Sequence, residues 1–251
     1  MSEENFVQPD DAVEELRRRL VPKNYLDKKR LQSNSFLYRY LKYHRMDLSK
    51  AEKTIRNYFN YSDVRKATLE VKAPPEYKNL YQVFGGARDY HSRPVLQIPN
   101  LKDWKLTRHI SKTEELFIKT LVQKMHWFVE QQLLDNDVDS AVIIVDLKDV
   151  EYTFSLCRRT FNLGMEIAKE LNSVAPGVFG QCIILNAPNI MRTLVSAALT
   201  ILRRPNSGRP SRCHLLSTDD ADWKERIAEI IPEDQLRPEF GGTFTGHQIL
   251  D

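Results

Sequence analysis

Four short apolar runs, spaced by segments long enough to be helices, constrain this chain more than any other feature. They are Val95-Leu96-Gln97-Ile98, Ala141-Val142-Ile143-Ile144-Val145, Ile183-Ile184-Leu185 and the residues near His214 to Leu216. Strands that alternate with helices of about ten residues or more pair in parallel through right-handed crossovers. Runs that are apolar without alternation read as strands covered on both faces. The chain is therefore expected to be α/β, with a sheet between layers of helix.

The first third is helical by its spacing. Phe36, Leu37, Tyr40, Leu41 and His44 recur on one stripe,. Ser49-Lys50-Ala51-Glu52 reads as a capping box, followed by Ala51, Ile55, Tyr58 and Phe59 on a second stripe,. Pro74-Pro75 breaks the pattern, and Gly85 to Pro94 reads as a turn before the first strand,. Ser111-Lys112-Thr113-Glu114 is a second capping box. It opens a long helix with Ile118, Val122, Met125, Val129 and Leu133 on its apolar face,. Further helices are expected from about Thr153 to Ser173, near Ile190 to Leu202, and near Asp219 to Ile230. There is no internal repeat.

Composition bounds the class. The 251 residues, 41% hydrophobic and 28% charged, suit a globular chain with a sizeable core,. A net charge of +3 gives no argument for nucleic acid,. Met1 to Asp11 is polar and acidic and lacks the order of a signal peptide,. No apolar run approaches the ~20 residues of a spanning helix, and Ser2 excludes N-myristoylation,. The expectation is a cytoplasmic monomer whose membrane contacts are peripheral and transient. Cys157, Cys182 and Cys213 are far apart with no C-x-x-C pair, and read as free buried thiols,.

Familiar chemistries are missing. There is no P-loop, no G-x-G-x-x-G and no G-x-S-x-G elbow,. His44, His91, His109, His126, His214 and His247 never fall at metal-ligand spacing, so no metal or other cofactor is expected,. Asp146 ends a parallel strand, where α/β folds place their sites. No partner acid, base or nucleophile accompanies it, and it reads as a holder of the strand-to-loop turn rather than a catalytic group.

Two features remain. Ile190, Met191, Leu194, Val195, Leu199, Ile201 and Leu202 cover most of one helix's circumference. Such a helix is buried, or meets lipid at times. From Leu171 to Thr218 there is no Asp or Glu, yet Arg192, Arg203, Arg204, Arg209 and Arg212 are present. This segment carries +5 and the rest of the chain −2. An apolar helix beside an uncompensated basic loop can dock on an anionic membrane surface. Aromatic residues are not interleaved with these arginines, which argues against nucleic acid.

Six pieces in order, from about Lys28 to Phe244, resemble the CRAL-TRIO family of lipid-binding proteins. Phe36 to Lys42 is similar to the family's helical N-terminal signature, and Asp47 to Phe59 to its D-x-x-K-A helix. Asp89 with Arg93-Pro94-Val95 resembles D-x-x-G-R-P-V, with Ser92 in place of the glycine. Val145 to Lys148 resembles the D-L-K-G strand end, and Ile183 to Pro188 resembles I-I-N-A-P. Ile231 to Leu236 with Phe240-Gly241-Gly242 is similar to the I-P-x-x-x-L-P-x-x-F-G-G close. The resemblance implies an N-terminal helical subdomain (10–75), then a lipid-binding domain (76–244) and a tail (245–251). The domain would hold a mostly parallel five-stranded sheet flanked by helices, with an apolar cavity under a gate helix. The helix near 190–202 falls at the gate's position. Exposing an acyl tail to water costs about 0.8 kcal/mol per CH₂, so such a pocket must close in water.

The departures concern the ligand. Phosphatidylinositol-binding members carry Y-P-E-R where this chain has Ala175-Pro176-Gly177-Val178, so the acid and base that contact the headgroup are absent. Two hydroxyl residues that contact phosphocholine in the family's yeast member fall at Ala141 and Ile143. The resemblance then points to a more apolar ligand, such as a prenyl, tocopherol-like or sterol-like molecule or a fatty chain. A phospholipid held through Arg212 stays open. The expected pocket wall comprises Ala141, Ile143, Val145, Ile183 and Leu185 from the sheet and Val195, Leu199 and Leu202 from the gate. About half of the sheet positions should face away, and the pattern leaves open which half. Arg203, Arg204 and Arg209 are expected to touch the membrane. The expected function is a lipid-binding or transfer protein without covalent chemistry; the alternative is an interaction module that kept the fold, lost the cavity and recruits a protein partner.

Overall fold

The computed structural model describes residues 9–69, 74–104, 111–150, 175–187 and 212–249, with five single positions between 161 and 174; of residues 61–69 it describes the backbone alone. Helices α1 (Pro9–Arg19), α2 (Tyr25–Gln32), α3 (Asn34–Tyr43) and α4 (Leu48–Leu69) come first, followed by the short α5 (Pro75–Leu80). The expected stripes face inward: Phe36, Leu37, Tyr40 and Leu41 from α3 and Ala51, Ile55, Tyr58 and Phe59 from α4 are buried. Ser33 caps α3 by accepting the Phe36 N–H at 3.0 Å,. The cap of α4 lies two residues before the expected box. Asp47 Oδ1 accepts the Lys50 N–H at 3.0 Å, the bond of an N-cap carboxylate,. Pro75 does not only break helix: it opens α5, at the first-turn position where its missing N–H costs nothing,.

The sheet has six strands in the order β5-β4-β3-β2-β1-β6. The four apolar runs lie in β2 (Pro94–Ile98), β3 (Ala141–Asp146), β4 (Phe179–Leu185) and β5 (Arg212–Leu216), all parallel. β1 (Phe84–Arg88) and β6 (His247–Gln248) add an antiparallel edge. The turn expected over Gly85–Pro94 is thus shorter, and spans Asp89 to Arg93. Its first residues are a strand with a register shift between Phe84 and Ala87. Gly86 sits there at φ 95, and a Cβ on Gly85 would come within 2.4 Å of the Phe128 ring. Bulge geometry and close helix approach both select glycine, and glycine is what made this strand read as a turn. The expected tail supplies β6, and Ile249 N–H reaches Val83 O at 2.9 Å.

Helix α6 (Lys112–Asn136) connects β2 to β3 and starts at its expected cap, where Ser111 Oγ accepts the Glu114 N–H at 3.2 Å. Its buried Ile118, Leu121, Met125, Val129 and Leu133 join the N-terminal helices, Leu96 and Ile98 in one core cluster. A second cluster lies on the other face of the sheet, where α7 (Trp223–Ala228) and the segment after it bring Ile227, Ile231, Leu236 and Phe240 onto Val95, Val142, Ile144, Ile183, Leu185 and Leu216. The helix expected from Asp219 begins later. Ser217 Oγ accepts the Asp219 N–H and Asp220 accepts the Ser217 N–H, which holds those residues in a turn,.

Candidate functional site: an apolar floor on one face of the sheet

Side chains alternate across a strand, so the register divides the sheet residues into two faces. On the α6 face, Leu96, Ile143, Cys182 and Cys213 form one row across four strands. Ile98, Val145, Ile184 and Leu215 form the next. The β2 member of each row, Leu96 or Ile98, is fully buried under α6. The six members on β3, β4 and β5 are only half-buried. On the opposite face Val142, Ile144, Ile183, Leu185 and Leu216 are buried to within 1%. Half-exposed apolar side chains in the middle of a parallel sheet are unusual, since such sheets are normally covered on both sides.

The five sheet residues expected to wall a pocket therefore separate. Ile143 and Val145 lie on the half-buried face. Ala141 belongs to the same cluster but is fully covered. Ile183 and Leu185 point the other way and are sealed beneath α7 and the C-terminal segment. One chamber cannot be lined from both faces of one sheet, so Ile183 and Leu185 are core residues. Cys182, Ile184, Cys213 and Leu215 take their place in the rows, and sequence reasoning missed all four. Both faces of β4 are apolar, so no alternation marks which residue faces which layer. Only the register with β3 decides it.

Arg212 is the first residue of β5, opposite Gln181. Val195, Leu199, Leu202, Arg203, Arg204 and Arg209 lie outside the described residues. Gly177 and Val178, at the headgroup-binding positions of the resembling family, sit just before β4. Gly177 adopts φ 73 beside the Arg39 stem, and Val178 is buried in the cluster beneath the N-terminal helices.

The carboxyl ends of β3, β4 and β5 are tied together by polar side chains. Asp146 Oδ1 accepts from Lys148 N–H and from Asn186 Nδ2, each at 2.8 Å. Asn186 Oδ1 accepts from Thr218 N–H at 2.8 Å and Thr218 Oγ1 at 2.9 Å. Asp146 therefore has the turn-holding position expected of it. Below the sheet, the buried Gln97 accepts the Arg237 N–H and donates to Gln235 O, both at 2.9 Å. Among the described residues no cluster of His, Cys, Asp or Glu is arranged to hold a metal. No described helix is long and apolar enough to cross a membrane.

Comparison with known proteins agrees with this architecture. The model of the CRAL/TRIO domain family matches residues 77–242, about two thirds of the chain. The crystal structure of Sfh5, a yeast protein, is similar with a TM-score of 0.59 at 12% identity, over 90% of this chain and 85% of that one.

Proposed function

This chain belongs to the CRAL/TRIO family, a lipid-binding and transfer family, and from that premise we propose that it sequesters one hydrophobic or amphipathic lipid above the sheet and docks transiently on membranes. The single observation that supports this most is the half-buried apolar floor of Ile143, Val145, Cys182, Ile184, Cys213 and Leu215. An apolar surface of this kind gains by taking an acyl, prenyl or sterol chain, at about 25 cal/mol per Å² removed from water. Topology is compatible with a cover. The parallel strands run β2, β3, β4, β5 in one direction, and α6 makes the first crossover on the floor side. Right-handed crossovers in one direction fall on the same face, which supports reading the connection that bears Val195, Leu199 and Leu202 as the lid. The arginines beside it, Arg203, Arg204, Arg209 and Arg212, favour an anionic surface by about 1 kcal/mol each before screening. Contact of that strength is reversible and suits a lid that opens at the membrane.

Native mass spectrometry of the full chain from cells tests the carrier. A co-purifying lipid, or uptake from liposomes, is expected. A clean apo mass with no uptake overturns it and leaves the interaction module. For docking, replacing the four arginines by Gln should weaken sedimentation with phosphatidylserine-containing vesicles and flatten its salt dependence. An unchanged salt dependence removes the electrostatic part.

A further inference from the structure

Cys182 and Cys213 are remote in sequence but stand opposite each other in register on the neighbouring parallel strands β4 and β5. Neither is part of a disulfide, and both are half-buried on the floor face. Paired residues on adjacent strands lie about 4.8 Å apart, inside the window of roughly 4.4–6.8 Å between Cα atoms that a disulfide spans. The side chains already meet, and the Cys182 thiol hydrogen-bonds with Cys213. We propose that Cys182 and Cys213 form a vicinal dithiol that a neutral hydroperoxide converts to a disulfide, making the floor a two-electron redox site.

The chemistry follows from the surroundings. The hydrogen bond to Cys213, and then burial, push the Cys182 thiol well above the usual range. One sulfur takes the distal oxygen of the hydroperoxide, the O–O bond breaks, and an alcohol (or water) leaves with that thiol's proton. The other sulfur then attacks the resulting sulfenic sulfur, the S–S bond forms, and water departs with its proton. The two thiols lose two electrons and the peroxide gains them. An apolar site admits a neutral peroxide more readily than an anionic thiol reductant such as glutathione, so a disulfide formed there is shielded from exchange.

The test uses the reduced full chain, treated with stoichiometric hydrogen peroxide and separately with cumene hydroperoxide, then quenched with an alkylating agent. Intact mass should show loss of two hydrogens from one disulfide. A non-reducing peptide map should join the Cys182 and Cys213 peptides while Cys157 is alkylated, and dithiothreitol should reverse the change. A link through Cys157, separate sulfinic acids at Cys182 and Cys213, or two sites that stay alkylatable would each overturn the proposal.

Discussion

Arg39 and Glu130 show at the level of single side chains what holds the helical subdomain to the sheet unit. They meet at 3.1 Å with side chains only 2% and 3% exposed. Tyr58 O–H donates to the second Glu130 oxygen at 2.7 Å. Burial, with the Glu130 charge next in weight, holds the Tyr58 hydroxyl well above its ordinary range, so it stays a donor. A buried pair of this kind contributes little over an apolar substitute, but removing one member strands the other. Glu130→Ala is expected to destabilise the chain by about 3–5 kcal/mol, read as a lower urea midpoint at constant slope. A change under roughly 1 kcal/mol would mean that Arg39 finds water instead. At the opposite extreme, the Glu15–Arg19 pair is half-buried and joins residues of α1 alone, one turn apart,.

Elements depend on a few polar residues at their ends. Asn186 adopts φ 55, a left-handed conformation that Asn tolerates better than most residues, and its amide joins β3 to β5 through Asp146 and Thr218,. Asn186→Ala should cost roughly 2–4 kcal/mol, combining lost partners with the strained φ. Asp146→Asn should be mild, because its amide oxygen can still accept from both donors. If thermal melts ranked these two substitutions the other way, the Asp146 carboxylate would need a role beyond the turn. The C-terminal close depends on backbone proximity instead. A Cβ on Gly242 would lie 2.2 Å from the carbonyl oxygens of Glu233 and Leu236, so only glycine fits where the chain folds back beneath the sheet,.

Across the whole molecule, the α6 C-terminus and the loop into β3 clamp the helical subdomain. Asp137 caps α6 in a left-handed conformation and accepts from Ser33 Oγ at 2.6 Å and Ser35 N–H at 3.3 Å. Lys29 binds Asp135 at 2.7 Å, and Lys42 pairs with Asp139. Burial acts to raise the Asp139 carboxyl, but the hydrogen bond and charge of Lys42, with Ser140, outweigh it and leave it below its usual range. A depressed carboxyl holds its proton less tightly when folded than when unfolded. Its stabilisation is complete above the ordinary carboxylate range near ~4 and is lost as pH falls through the lower folded value. Lys42→Met should lower stability at neutral pH by at most about 1 kcal/mol, since the pair is partly exposed. The two proteins should become equally stable in strong acid. Urea titrations at several pH values check this, and a gap that persists in acid would assign the loss to packing.

Local sequence determined the parts whose signals are local. Periodicity placed α3, α4 and α6, the Ser111 cap marked where α6 begins, and continuous apolar runs located β2 to β5. The order of those runs fixed a parallel sheet, because alternation of strand and helix leaves one handedness of connection. β1 lay hidden behind Gly85 and Gly86, since a bulge and a turn select the same residue. Tertiary structure alone decided which face each strand residue serves. β4 is apolar on both sides, so nothing in Ile183-Ile184-Leu185 distinguishes the sealed pair from the half-exposed residue between them. The register with β3 and β5 does so, and it also sets Cys182 beside Cys213. A one-residue slip would exchange the two faces, and that choice is made by the layers packed above and below, not by the strand itself.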